Sequence, residues 1–417
     1  MSNYRRETIR AVIYIILGII AVAGLGVGNY RFAQQNPGGN DFLVHWVGTR
    51  AFFVEGLSPY SDEVALRIQE ITYGRAALPG EHELRVAYPL YSTLVFAPFA
   101  AIPDFTAARA AWMTVLELCL ALMAYFSIRL TGWKPGFGLL VVFLLFTFFW
   151  YHGLRPLILG NAVPLVSLAI ILALLAIRAG RDELAGLILG FATIKPQVVL
   201  LVFVFIVVWG IAQRRWKLVG WSVGTVAALT LGGMIFLPDW LIQNLREVIR
   251  YPSYNPPGTP GAALATWWPG VGRQVGVVIT IVLAVLLLLE WSAARKAGFR
   301  HFLWTACFTL AVSQWIGVQT DPGNFIVLFL PLTLIFSVWQ ERWGRTGVLM
   351  TVSSILIILV GLWALFLGTL QESYQPIQSP IMFFPLPAFA LIGLYWVRHY
   401  AIRPASLWID LLKQQDA

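Results

Sequence analysis

Asp41 stands directly beyond a long apolar run, in a chain where aspartate and glutamate together number only 20 of 417 residues. An ionised carboxylate at such a position is costly unless it is solvated, paired or put to use. His45 follows at i+4, on the same helical face, with Trp46 beside it, and the segment closes in Gly56-Leu57-Ser58-Pro59-Tyr60. Two readings fit Asp41: the N-cap of a helix beginning near Phe42, or a functional acid kept in company with His45. Lys195 has a similar pair. It precedes Pro196 in the middle of an apolar stretch, where an ammonium either snorkels to the interface or neutralises a phosphate carried on a lipid. Arg155, ahead of "PLILGN", reads in the same two ways. Arg246, Arg250 and Arg273 form a third basic set with two readings, binding of an anionic headgroup or, the simpler one, pairing with Asp239 and Glu247. Glu117 lies inside an apolar run and is expected to hydrogen-bond to a neighbouring helix. His82, His152 and His301 are scattered, without the spacing of a zinc site, and no Walker loop, GxSxG elbow or dinucleotide fingerprint occurs. Chemistry driven by soluble nucleotides is therefore unsupported.

The elements that must position these residues are membrane helices. Of the chain, 59% is hydrophobic and 12% charged, too little polar residue to cover a soluble surface. The net charge of +9 does not imply nucleic acid, because Lys and Arg fall in short clusters between apolar runs, as the positive-inside bias requires. Cys119 and Cys307 sit within apolar runs and read as small core hydrophobes. A span needs roughly 20 apolar residues. Candidates lie at 9–28, 108–130, 135–155, 162–178, 218–237, 275–291, 302–318, 324–338, 347–367 and 381–397. The run 184–213 is too long for one span and reads as two short helices broken at Lys195-Pro196. The expected fold is an all-α integral membrane bundle of about twelve spans, a single polytopic domain over 1–417. Within it, 29–107 forms a first outer loop with interfacial helices, 108–213 supplies core helices, 218–397 a C-terminal module and 398–417 a cytoplasmic tail. With both termini inside, 87–103 must be interfacial or re-entrant, and "SDEVALRIQEITYGR" should lie on the membrane surface. One face then gathers 29–107, 155–161, Lys195-Pro196, 238–274, 319–324 and 368–380.

Taken in order, "NDFLVHWVGTRAFFVEGLSPY", "AYPLYSTLVFAPFAAIP", "LILGNAVPLVSLAIILALLAIRAGRDELAGLILGFATIKPQ" and "QTDPGNFIVLFLPL" resemble the membrane glycosyltransferases of family 87 in the GT-C superfamily, over roughly residues 9–340. The match rests on Gly56 to Tyr60, Gly186, Gly190, Lys195 and Pro196. It departs at Tyr88-Pro89-Leu90, which lacks a second proline, at Gly160-Asn161, which lacks an intervening Gln-x, and at Asn324-Phe325, where the family often has an aromatic or histidine pair. The resemblance implies inverting transfer of a sugar, mannose by family frequency with arabinofuranose open, from a polyprenyl-phosphate donor to a lipid or glycan hydroxyl on the outer face of the plasma membrane. It implies Asp41 as general base and Lys195 and Arg155 as cations for the leaving phosphate. His45, Trp46, Tyr60, Tyr88, Tyr91, Asn161 and Asn324 then belong to the donor and acceptor surroundings. No cofactor and no metal ion is expected, and no nucleic-acid partner. Two further classes stay open: a transporter or flippase, which would place charges at midplane in symmetry-related broken helices, and a polysaccharide polymerase or ligase, which would use the arginines of 238–274.

Overall fold

The computed structural model describes residues 2–255, 258–316, 321–370 and 379–403. Gln319 and Thr320, most of the 368–380 loop and the tail from residue 404 lie outside these. Among the described residues the chain is all helix with no strand. Helix α1 spans Ser2–Gln35, and three short helices follow: α2 Asn40–Glu55, α3 Asp62–Tyr73 and α4 Thr93–Ala100, the last led in by a 3₁₀ turn at Leu90–Ser92. The bundle continues through α5 Phe105–Thr131, α6 Phe137–Phe149, α7 Tyr151–Leu159, α8 Val163–Arg178, α9 Asp182–Ala192, α10 Pro196–Ala212 and α11 Trp216–Phe236. An excursion, α12 Trp240–Tyr254 and α13 Pro260–Trp267, precedes α14 Gly272–Ala294, α15 Phe299–Ile316, α16 Phe329–Thr369 and α17 Pro385–Ile402. Between α15 and α16 runs a 3₁₀ turn, Pro322–Leu328. Helix α16 is two helices meeting at Gly344, whose φ of 51° breaks the helical path.

Among the described residues six helical runs are long and apolar enough to cross a membrane, with Pro322–Thr369 taken as one run, or seven if α6 and α7 count as one span. The expected count of about twelve is not confirmed. At about 1.5 Å rise per residue against a hydrocarbon core of about 30 Å, helices of 16, 11 and 17 residues at α8, α9 and α10 fall short of full spans. The single span expected at 135–155 is likewise two helices bent by 41° around Trp150. That bend makes most of 155–161 helical, leaving only Gly160 to Ala162 as a turn. Segment 87–103 is too short to cross and packs through α4 on α2.

The two ends of the bundle differ. At one end Arg178 donates to the Arg129 and Leu130 carbonyls, Arg215 pairs with Asp182, Gln340 reaches the Lys134 carbonyl (3.0 Å) and Arg398 grips Glu290 at 2.8 and 2.7 Å. At the other end the connection between α3 and α4 meets α12, through Asn244 to the Ala87 and Tyr88 carbonyls and Arg85 to Glu247 (3.3 Å). Arg250 does pair, but with Glu83 of the first loop (2.7 Å) instead of Asp239 or Glu247. Glu117 accepts from Asn29 of α1 (2.9 Å), the expected interhelical bond. Cys119 and Cys307 are buried free thiols, as expected of core hydrophobes. Gly186 and Gly190 let α9 lie against α11: a Cβ on Gly186 would meet Trp221 Cβ at 2.6 Å, and one on Gly190 would meet Thr225 Cβ at 2.5 Å. This small-residue seam is a packing device.

Candidate functional site

Asp41 is not an N-cap. Helix α2 starts one residue earlier, at Asn40, and its cap is Gly39 with φ of 80°, a conformation open to glycine because it lacks a Cβ. Asp41 therefore falls in the first turn, where the helix dipole favours a carboxylate, and its side chain is free to point elsewhere. Two anchors fix its location. Phe42 is fully buried, stacked on Trp112 with ring centres 5.9 Å apart and on Phe105 at 5.9 Å. Buried Arg109 ties the entry to α2 to the end of α7 by donating to Asn36 O (2.7 Å) and Ile158 O (3.2 Å). Arg109 thus sets Asp41 and Asn161 in register, a role its position inside an apolar helix concealed.

From the α7–α8 turn, Asn161 donates through Nδ2 to Asp41 Oδ2 at 2.7 Å. Its Oδ1 accepts from Val163 N (3.0 Å) and from Lys195 Nζ (2.6 Å). The amide orientation is settled by this arrangement, since both groups facing Oδ1 are donors and the carboxylate facing Nδ2 only accepts. Lys195 lies in the break between α9 and α10, where Pro196 opens α10, as the sequence predicts. Its ammonium also donates to the Tyr88 hydroxyl at 2.7 Å and lies 5.1 Å from that ring centre. Asp41, Asn161, Lys195 and Tyr88 therefore form one hydrogen-bonded chain drawn from four separate segments.

Arg155 of α7 makes a bidentate pair with Asp321, Nε to Oδ1 at 3.1 Å and Nη2 to Oδ2 at 3.0 Å. Asp321 caps the Pro322–Leu328 turn by accepting from Gly323 N. In the sequence Asp321 carries no signal of this partnership, because Asp-Pro-Gly marks only a capped turn. Burial pushes the Asp41 carboxyl above its usual value, and Asp321 adds to the rise, against Lys195 and Asn161. Asp321 goes the other way: burial opposes its charge, but Arg155 and the Gly323 amide hold it below the ordinary range. Burial, offset by Asp41 and Asp321, lowers Lys195 to about 8. His45, buried and near Lys195, is lowered to about 3 and is neutral at physiological pH.

The other expected residues divide. His45 joins the site through stacking on Phe96 (4.5 Å) and contact with Tyr88 (4.1 Å). Tyr60 supports it from behind, its hydroxyl donating to Tyr88 O at 2.8 Å, and Tyr91 does the same for the α9–α10 break through Thr193. Trp46 turns away: its indole donates to Ile102 O (3.2 Å) and its ring meets Phe105. Asn324 is buried inside the turn after Asp321, to whose carbonyl its backbone N–H donates. A narrow crevice lined by His45, Thr49, Tyr60, Tyr88 and Thr93 among others adjoins this hydrogen-bonded chain.

A helical membrane protein with an acid, a lysine and an arginine–aspartate pair gathered at one end of its bundle is the class that fold and site define. Residues 87–313, more than half of the chain, match the family model of glycosyltransferase family 87, and the chain belongs to that family. Membership makes it a membrane glycosyltransferase, with a sugar donor and an acceptor. Tyr88, Arg155, Asn161 and Lys195 fall within the matched range, whereas Asp41 and Asp321 fall outside it. No curated protein and no solved structure matches this sequence.

Proposed function

We propose that the protein transfers a sugar, mannose first among candidates, from a polyprenyl-phosphate donor to a lipid or glycan hydroxyl on the outer face of the plasma membrane, with inversion. In this reading the chain crosses about twelve times, the shorter helices completing spans in pairs, and both termini are cytoplasmic. Asp41 takes the proton of the acceptor hydroxyl as that oxygen bonds to the anomeric carbon, and the bond from that carbon to the phosphate oxygen breaks. Two carboxylates stand at the site, and their surroundings support choosing Asp41 over Asp321. Asp321 is held by two guanidinium bonds and a backbone amide, which weaken it as a base. Asp41 receives a neutral amide hydrogen bond and is raised in pKa, which strengthens it.

Charge balance gives a reason for the four-group arrangement. Asp41 and Asp321 against Lys195 and Arg155 sum to zero when all are ionised. Once Asp41 is protonated the site carries one net positive charge, at the moment the departing phosphate gains negative charge. Lys195 is the principal partner for that phosphate, and Arg155, held in place by Asp321, adds to the positive field. The reading calls for no metal ion, because a single phosphate leaves and two cations face it. His45, neutral, and Tyr88 flank the sugar, with Asn161 as the rigid link between base and cation.

The observation that carries this reading is the link from the Asp41 carboxylate through Asn161 to the Lys195 ammonium, at 2.7 and 2.6 Å. Its test is purified protein in nanodiscs with radiolabelled polyprenyl-phosphate-mannose and, in parallel, the arabinofuranose donor. Turnover of one donor, lost in Lys195→Gln and retained in Arg250→Ala, supports the assignment. Turnover that survives Lys195→Gln, or that follows Arg250, overturns it in favour of the polymerase-like arginine loop.

A further inference from the structure

Helix α12 presents its faces in the opposite sense to a soluble surface helix. Trp240, Asn244, Glu247 and Tyr254 are buried against the protein, while Leu241, Ile242, Leu245, Val248 and Ile249 form one outward apolar face, each between 44% and 71% exposed. Their spacing of i, i+1, i+4, i+7 and i+8 is a single helical stripe. The inward side is held by polar bonds, Asn244 to the Tyr88 carbonyl (3.1 Å) and Glu247 to Arg85 (3.3 Å). Packing onto the protein therefore leaves the apolar stripe uncovered.

The surroundings identify what covers it. Helix α11 is a span by length and composition, and its last turn exposes Ile235 and Phe236. Only residues 237–239 separate that turn from α12, so the stripe continues the lipid-facing surface of a span at the level where the span ends. At the return, Trp267 and Trp268 are exposed immediately before α14, another span, the place of an aromatic belt. On the exposed side of α12 Arg246 is open, while Glu247, the helix's acid, faces inward.

We propose that α12 is an interfacial helix whose apolar stripe sits at the boundary between headgroups and acyl chains, with Arg246 among the lipid phosphates. Because Asn244 holds the main chain of Tyr88, whose hydroxyl meets Lys195, this seating also sets the depth of the site relative to the bilayer.

The test uses the full chain in nanodiscs of phosphatidylcholine and phosphatidylglycerol, and needs no activity, so its outcome is independent of the proposed reaction. Leu245→Cys and, as a second reporter, Ile249→Cys are labelled with an environment-sensitive fluorophore; the native thiols at Cys119 and Cys307 are buried and stay unlabelled in folded protein. Quenching is measured with doxyl lipid tagged near the headgroup, doxyl lipid tagged deep in the chain, and aqueous iodide. The expected result is blue-shifted emission quenched most by the shallow doxyl lipid. Dominant quenching by iodide, dominant quenching by the deep label, or no quenching together with disulfide cross-linking of two copies through the introduced thiol would each overturn the proposal.

Discussion

Replacing Asp41 by asparagine separates chemistry from architecture more cleanly than any other single change at this site. Asn161 Nδ2 donates to Asp41 Oδ2 at 2.7 Å, and an amide oxygen in that place accepts the same bond. Phe42 and Arg109, which locate the first turn of α2, are untouched. The cost in stability is therefore that of exchanging a charge-assisted bond for a neutral one, about 1 kcal/mol. What is lost, on the proposed assignment, is the proton acceptor. General-base catalysis contributes about 10²- to 10⁴-fold, or roughly 3–5 kcal/mol of barrier, so transfer falls by that factor while donor binding, which the proposal places on Lys195, changes little. The assay is single-turnover transfer of radiolabelled sugar from the lipid donor, with the melting curve of the same preparation as the check on folding. A folded Asp41→Asn protein that transfers within about tenfold of the wild type, below the range for a lost general base, would refute the assignment.

The pH profile of transfer should be bell-shaped, its acid limb governed by Asp41 above the usual carboxylate value near 3.9 and its alkaline limb by Lys195 at about 8; Lys195→Arg should move the alkaline limb upward. Stability should run the other way above that limb. The lowered folded pKa of Lys195 means the unfolded chain binds more protons between about 8 and its ordinary value, so chemical denaturation at stepped pH should show stability rising through that window. Asp321→Asn leaves Arg155 without its bidentate partner; with both side chains about one-fifth exposed, the loss should be about 1–3 kcal/mol, below the fully buried case, with slower transfer and little change in the alkaline limb. Gly160→Ala should be worse for folding than any of these. Its φ is +72°, and the new Cβ would run into Phe42 Cβ, so strain of about 1–2 kcal/mol adds to a clash that pushes Asn161 off Asp41; a drop in melting temperature together with lost transfer is the expected reading.

Sequence and structure agree where one-dimensional physics is sufficient. The break at Lys195-Pro196 was legible because proline cannot continue the hydrogen-bond ladder and the preceding basic residue marks an end. Glu117's bond to another helix followed from the cost of an unpaired acid in an apolar run. The gathering of 29–107, 155–161, Lys195 and 238–274 at one end follows from charge sidedness, and those segments do meet through Asn161, Lys195, Asn244 and Arg85. The span count was less legible. Apolar stretches in 135–213 divide into helices too short to cross alone, and hydropathy registers composition without registering the bend at Trp150 or the helix lengths.

By itself the sequence determined that this is a helical membrane protein with its polar clusters at helix ends, because apolar composition, prolines and basic clusters act locally and leave their mark in the order of residues. Only the tertiary structure decided the partners. It released Asp41 from a capping role by starting α2 at a left-handed glycine, turned Trp46 to the α4–α5 loop, and brought in Asp321 and Arg109, whose neighbours lie far away in the chain. Side-chain hydrogen bonds between residues 120 and 166 positions apart, as in Asp41 with Asn161 and Arg155 with Asp321, depend on how helices cross and bend, and that geometry is set by close packing throughout the bundle.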